Sequence, residues 1–154
     1  MIRITTFSPQ ETFHAGYKLG NILNKGDIVC LTGELGTGKT AFTGGIAAAL
    51  GIEGYITSPT FTIVNEYDGK IPLYHFDVYR IAEPSEMFEI GFEEYLEGNG
   101  IVVIEWAELI KEIIPPEHIT VEIKKDYRIN PDDRIIDLEF HGVRYADCQR
   151  RLEA

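Results

Sequence analysis

One short run constrains this chain more than any other: Gly33-Glu34-Leu35-Gly36-Thr37-Gly38-Lys39-Thr40, a complete G-x-x-x-x-G-K-[ST] pattern. Before it stands the continuous apolar segment Ile28–Thr32, suited to a buried strand. After it, residues 39–50 place Phe42, Ile46, Ala49 and Leu50 at helical spacing and end at Gly51, a natural C-terminal cap. Strand, glycine-rich loop and helix in this order commit the chain to an α/β architecture. Glycines let backbone N–H groups curl around phosphate oxygens without Cβ clashes, a lysine reaches the β- and γ-phosphates, and a hydroxyl ligates Mg²⁺. The helix aims its positive N-terminal end at the same anion. A glycine-rich turn of this kind can be purely structural, but the flanking strand and helix favour a nucleoside triphosphate cradle. Its residues are Gly33, Glu34, Leu35, Gly36, Thr37, Gly38, Lys39 and Thr40.

Around this unit the pattern predicts strands at 1–6, 61–67, 71–76, 101–104, 118–125 and 134–141. Ser8 and Glu11 have capping-box spacing and open a helix running to about Leu23. Short helices are expected at 84–90, stopped by Gly91, at 106–113, halted by Pro115 and Pro116, and at the C-terminal end. Asp68-Gly69 signals a hairpin. Strands alternate with helices in the first half and hairpins add others. The expectation is a P-loop NTPase-like α/β fold, a mixed parallel and antiparallel sheet with helices on both faces, as one domain over 1–154.

Composition narrows the function classes. Apolar residues make up 44% of 154 residues, enough to fill a core and exclude a disordered chain. Fourteen Lys and Arg against 25 Asp and Glu give a formal charge of −11, unsuited to gripping a nucleic-acid backbone unaided. Two cysteines, Cys30 and Cys148, do not make a disulfide scaffold and suggest a reducing compartment. The N-terminal residues lack the charge and apolar pattern of a signal peptide, and no apolar run is long enough to span a membrane. A cytoplasmic location is expected.

The nucleotide site needs more than its loop. Asn24-Lys25-Gly26-Asp27 has the N-K-x-D form that selects guanine, but it precedes the strand whose far end carries the loop; it reads as a turn, and ATP is the default. An acidic residue at the end of an adjacent strand should hold Mg²⁺ or its water. Glu105, after residues 101–104, and Asp77, after Leu73-Tyr74-His75-Phe76, both qualify. Thr60, in Ser58-Pro59-Thr60, is either a γ-phosphate sensor or part of a plain loop. Arg80 could face phosphate or form a surface ion pair. His14, His118 and His141 lack metal-ligand spacing, and Cys30 reads as core.

Four ordered blocks, GELGTGKT, TSPTFTIVNEY, LYHFDVYRI and IVVIEWAE, span Gly33 to Glu108 and resemble the TsaE family of bacterial ATPases required for threonylcarbamoyladenosine formation on tRNA. The resemblance implies ATP or ADP contacts from the loop, Mg²⁺ held by Thr40 and Glu105, and a catalytic or water-positioning role for Asp77. It also implies a switch role for Thr60 and places Trp106 beside the metal-binding acid; Arg134 falls roughly where the family's late segment approaches the nucleotide. Implied partners are TsaD and TsaB, with tRNA reached only through their complex and ATP hydrolysis resetting it. Nine acidic residues and one basic residue from 83 to 112 form either a solvated face or a docking surface for a basic partner. A small P-loop metabolite kinase is the alternative, although residues 82–110 carry no arginine for a phosphate lid. A nucleotide-gated binding module without significant hydrolysis is the third class.

Overall fold

The computed structural model describes residues 1–34, 36–54, 56, 57, 59, 63–126 and 130–153. In chain order the elements are β1 (Ile2–Thr6), α1 (Pro9–Gly20), β2 (Ile28–Thr32), α2 (Lys39–Ala49), β3 (Val64–Tyr67), β4 (Leu73–Asp77), α3 (Glu86–Glu89), α4 (Phe92–Glu97), β5 (Ile101–Glu105), β6 (His118–Lys125), β7 (Arg134–His141) and α5 (Cys148–Glu153). A 3-10 segment, Ala107–Ile113, follows β5. The strands form one seven-stranded sheet in the order β1-β7-β6-β2-β5-β4-β3. Pairs β2–β5, β2–β6 and β4–β5 are parallel, whereas β1–β7, β6–β7 and β3–β4 are antiparallel.

The central strands are apolar on both sides because both sides are covered. Val29, Leu31, Ile101 and Val103 pack with Leu19 of α1, Phe42 and Ile46 of α2 and Leu152 of α5. The alternating residues Ile28, Cys30, Val102 and Ile104 pack with Met87, Phe92, Ala107 and Ile110 on the opposite face. Helices therefore flank a mixed sheet on both faces. Burial pushes the Cys30 thiol up to about 12, with Glu108 adding to the effect, as befits a core residue.

Local chemistry sets the helix positions. Ser8 caps α1 by accepting the Glu11 N–H at 3.2 Å, one half of the expected capping box, while Glu11 reaches back past the cap to the Phe7 N–H at 3.4 Å. Helices α1 and α2 touch backbone to backbone: a Cβ on Gly16 would overlap the Phe42 carbonyl, and one on Gly45 the Phe13 carbonyl. Asp27 accepts the Asn24 N–H at 2.6 Å and Arg144 Nε at 2.8 Å, so the N-K-x-D run is a structural turn at the end of β2 remote from the glycine-rich loop.

Several boundaries differ from expectation. Helix α1 ends at Gly20, because Ile22 and Leu23 bond three residues back, to Leu19 and Gly20. In place of the helix expected at 106–113, Ala107–Ile113 forms 3-10 turns broken at Ile110 (φ −127, ψ 24). Strand β3 begins at Val64, where Ile63 has φ +68; Phe61 and Thr62 lie outside the described residues. Helix α3 stops before Gly91 as expected, but Gly91, at φ +78, is followed at once by α4, which the sequence pattern missed.

Candidate functional site

The C-terminal ends of β2, β5 and β4 lie side by side. Leu31 is in register with Glu105, and Glu105 with Asp77, so the two carboxylates leave neighbouring strands at the same level. They meet Lys39 and Thr40, at the start of α2, around a cavity of about 330 Å³ that Gly36, Gly38 and Trp106 complete. Three segments far apart in sequence are thus brought to one place by parallel pairing.

The loop needs its glycines. Gly36 and Gly38 have φ of +77 and +107, which a side chain would strain. At Gly33 (φ +148) a Cβ would also lie 2.6 Å from the Ile123 carbonyl oxygen. Thr37 is buried and its hydroxyl donates to the Glu34 carbonyl at 2.9 Å, while Glu34 itself is exposed. Leu35 and Thr60 lie outside the described residues, and Thr60's expected switch role stays an expectation.

Lys39 is folded onto its own loop. Its Nζ donates to the Gly33 carbonyl at 2.7 Å and stands 4.0 Å from the centre of the Trp106 ring. Burial draws the ammonium below the ordinary lysine value, opposed by Glu105, Asp77 and Glu108. Trp106 holds φ +63, an uncommon conformation for a bulky residue, and Tyr79 packs on it with ring centres 4.8 Å apart. Asp77 Oδ1 accepts the Tyr79 N–H at 3.0 Å, a local turn at the end of β4.

Arg134 does reach the loop, at the carbonyl side. Its Nε donates to Thr37 O at 2.8 Å, its second terminal nitrogen to Gly36 O at 3.4 Å and its first to Pro131 O at 2.6 Å. It braces the loop from that side. Beside it, Pro9, Thr12, Gly38, Ala41 and Asp132 help enclose a cavity of about 180 Å³. A larger one, about 610 Å³, opens on the other side between Trp106 and the end of β6, with Lys125 on its wall. Sequence reading missed Lys125 and gave His75 no role. Lys125 comes to the loop only because β6 pairs with β2, and a histidine inside an apolar strand reads as core.

Donor chemistry fits Mg²⁺. Thr40 offers a hydroxyl and Glu105 and Asp77 offer carboxylates around one cavity, the hard oxygen ligands this ion takes. No group of three His, Cys, Asp or Glu that could hold a metal occurs among the described residues. Mg²⁺ bound by one or two protein oxygens together with phosphates and waters needs none.

Fold and site together define a mixed α/β protein built around a glycine-rich strand-to-helix loop faced by two carboxylates. Residues 6–136 match the family described as threonylcarbamoyl adenosine biosynthesis protein TsaE. The chain is 44% identical over 141 residues, 91% of its length and 86% of the relative's, to the tRNA threonylcarbamoyladenosine biosynthesis protein TsaE of Bacillus subtilis. It is 42% identical to the TsaE of Treponema pallidum, over 80% of this chain and 91% of that one. The crystal structure of YdiB from Bacillus subtilis superposes with a TM-score of 0.82 at 38% identity, covering 99% of this chain and 93% of that one. The chain belongs to the TsaE family.

Proposed function

We propose that the chain is a P-loop NTPase-like single domain that binds ATP and ADP with Mg²⁺ and hydrolyses ATP slowly. On this reading it acts in the cytoplasm in threonylcarbamoyl modification of adenosine in tRNA. It docks on a complex of TsaB and TsaD and resets that complex, meeting tRNA only through it. The observation that carries the nucleotide reading is the convergence of Lys39, Thr40, Asp77 and Glu105 on one cavity at the open end of the parallel strands. Family membership supplies the pathway. Among the described residues no helix is long and apolar enough to cross a membrane.

Backbone N–H groups of Gly36, Thr37 and Gly38 and the Lys39 ammonium would hold the phosphates. Thr40 and Glu105 would hold Mg²⁺, which when bound neutralises charge on the β- and γ-phosphate oxygens. Asp77, level with Glu105, would place the attacking water or a metal-bound water. Trp106 would cover the lysine side of the cavity. Among the described residues no arginine lines the cavity, and a supplied arginine is worth roughly 10³–10⁵-fold in such reactions. Slow turnover alone and acceleration by a partner follow from that. The acidic stretch from 83 to 112, with Phe88 and Leu109 exposed upon it, suits docking on a basic partner surface. Steady-state phosphate release with and without purified TsaB–TsaD complex tests the reading. Acceleration by the complex supports it; fast turnover by the isolated chain, or no gain on adding the complex, refutes it.

A further inference from the structure

His75 and Glu105 form a buried pair directly behind the cavity. His75, the middle residue of β4, has no exposed surface, and its Nε2 lies 2.7 Å from Glu105 Oε2, whose residue is 3% exposed. Parallel register sets Asp77 opposite Glu105 and His75 opposite Val103. Alternate residues of a strand share a face, so His75 stands on the same face as Asp77, one pleat deeper in the sheet.

The other ring nitrogen decides which partner donates. His75 Nδ1 has no hydrogen-bond partner among the described residues. A buried N–H without an acceptor is rarer and more costly than a lone pair left idle. The proton therefore belongs on Nε2, which donates to the Glu105 carboxylate. An apolar side chain at this position, like the neighbouring Leu73 and Phe76, would take this donor away from the buried carboxylate. A lysine or arginine would hold it but cancel the charge that a cation needs. An imidazole N–H orients the carboxylate without the fixed positive charge of either.

We infer that His75 is a positioning residue for Glu105, fixing the rotation of its carboxylate through Nε2–H···Oε2 so that the group meets the divalent cation of a bound nucleotide already aligned. The inference rests on the proposed nucleotide site and deepens it. One hydrogen bond occupies a single lone pair of a group that can accept about four, which is how such a bond can orient a ligand without consuming it. Partners that orient a metal ligand in this way typically contribute 10–100-fold to metal affinity.

The test uses the full chain with ADP as nucleotide and Mn²⁺ as a spectroscopic stand-in for Mg²⁺. ADP affinity is first measured by calorimetry in EDTA. Mn²⁺ affinity of the protein–ADP complex is then read from the electron paramagnetic resonance signal of free Mn²⁺. His75→Phe removes the donor at similar volume; His75→Gln returns an amide N–H that can reach the same oxygen. The expected result is a 10–100-fold loss of Mn²⁺ affinity in His75→Phe, with metal-free ADP affinity unchanged, and recovery of most of that loss in His75→Gln. Introduced into Glu105→Gln, His75→Phe should cost little more. Undiminished Mn²⁺ affinity in His75→Phe, equal impairment of the Phe and Gln variants, or a full additional loss on the Glu105→Gln background would each overturn the inference. Wild-type protein that binds ADP but adds nothing to Mn²⁺ affinity would also overturn it while leaving nucleotide binding intact. Failure of the wild type to bind ADP at all would refute the nucleotide reading itself.

Discussion

Gly44 and Gly45 are consecutive in α2, yet a methyl group should have opposite consequences at the two positions. At Gly45 a Cβ would overlap the Phe13 carbonyl oxygen and lie 2.6 Å from the Tyr17 amide nitrogen, both backbone atoms of α1 that cannot swing aside. At Gly44 the nearest atoms are on the Phe13 ring, at 3.4 and 3.5 Å, and that side chain is 40% exposed and able to turn. Glycine to alanine inside a helix gains about 0.5–1 kcal/mol from backbone entropy. Gly44→Ala should keep nearly all of this. Gly45→Ala must separate two helices in backbone contact, and overpacking costs about 1–3 kcal/mol or more, so its net effect should be a loss of about 2 kcal/mol. The difference between the variants, about 3 kcal/mol, is more than a hundredfold in the folding equilibrium. Urea unfolding measures it directly as shifts of midpoint in opposite directions at an unchanged slope. Because α2 begins at Lys39, Gly45→Ala should also weaken ADP binding while Gly44→Ala spares it. Equal stability of the two variants would refute the backbone contact as the determinant of helix packing.

On the proposed reading Lys39→Ala would remove a charged phosphate contact of about 1.5–3 kcal/mol, so calorimetry should find ADP bound roughly 10–150-fold more weakly; Thr40→Ala should instead spare metal-free binding and lose Mg²⁺-dependent turnover. Arg134→Ala frees the carbonyls of Gly36 and Thr37, and ADP affinity should fall roughly tenfold for a lost brace of about 1.4 kcal/mol; unchanged affinity would show that the loop keeps its shape without the guanidinium. The hydrogen bond from Arg3 holds the Asp137 carboxyl below the usual carboxylate range, burial opposing and Lys124 assisting. A lowered folded value gives stability that is fully present above the unfolded pKa near 4 and is lost as the pH falls through the folded value. Asp137→Asn should therefore be less stable than wild type at pH 6, with the gap closing as the pH falls below about 4; a gap constant with pH would refute the ion-pair assignment.

How much of this was legible in the sequence depended on whether the signal was local. Strands β6 and β7 fall where the pattern placed them, and the loop, its strand and its helix were readable from glycine, lysine and apolar spacing. Asp77 and Glu105 could each be seen to end an apolar strand, but that they stand level on adjacent strands is a matter of register, which one strand's sequence does not carry. Arg134 and Lys125 approach the loop because β6 pairs with β2 and β7 with β6, an order set by long-range pairing. Helix α4 was missed because a terminating glycine carries no sign of a second helix after it; Gly91 ends α3, and its left-handed backbone also opens α4. Residues 106–113 carry helical spacing, but the left-handed turn at Trp106 and the break at Ile110 let them close only in 3-10 form. Such departures from local preference next to the cavity are the kind expected where backbone strain serves a site.

With its ammonium on the Gly33 carbonyl and the Trp106 ring, Lys39 occupies part of its own cradle. On the proposed nucleotide reading an arriving phosphate would compete with this internal guest, and the apparent affinity would be the intrinsic one scaled by the fraction of molecules whose lysine has let go. Lys39 would then turn like a revolving door between two sets of partners, its charge met on either side.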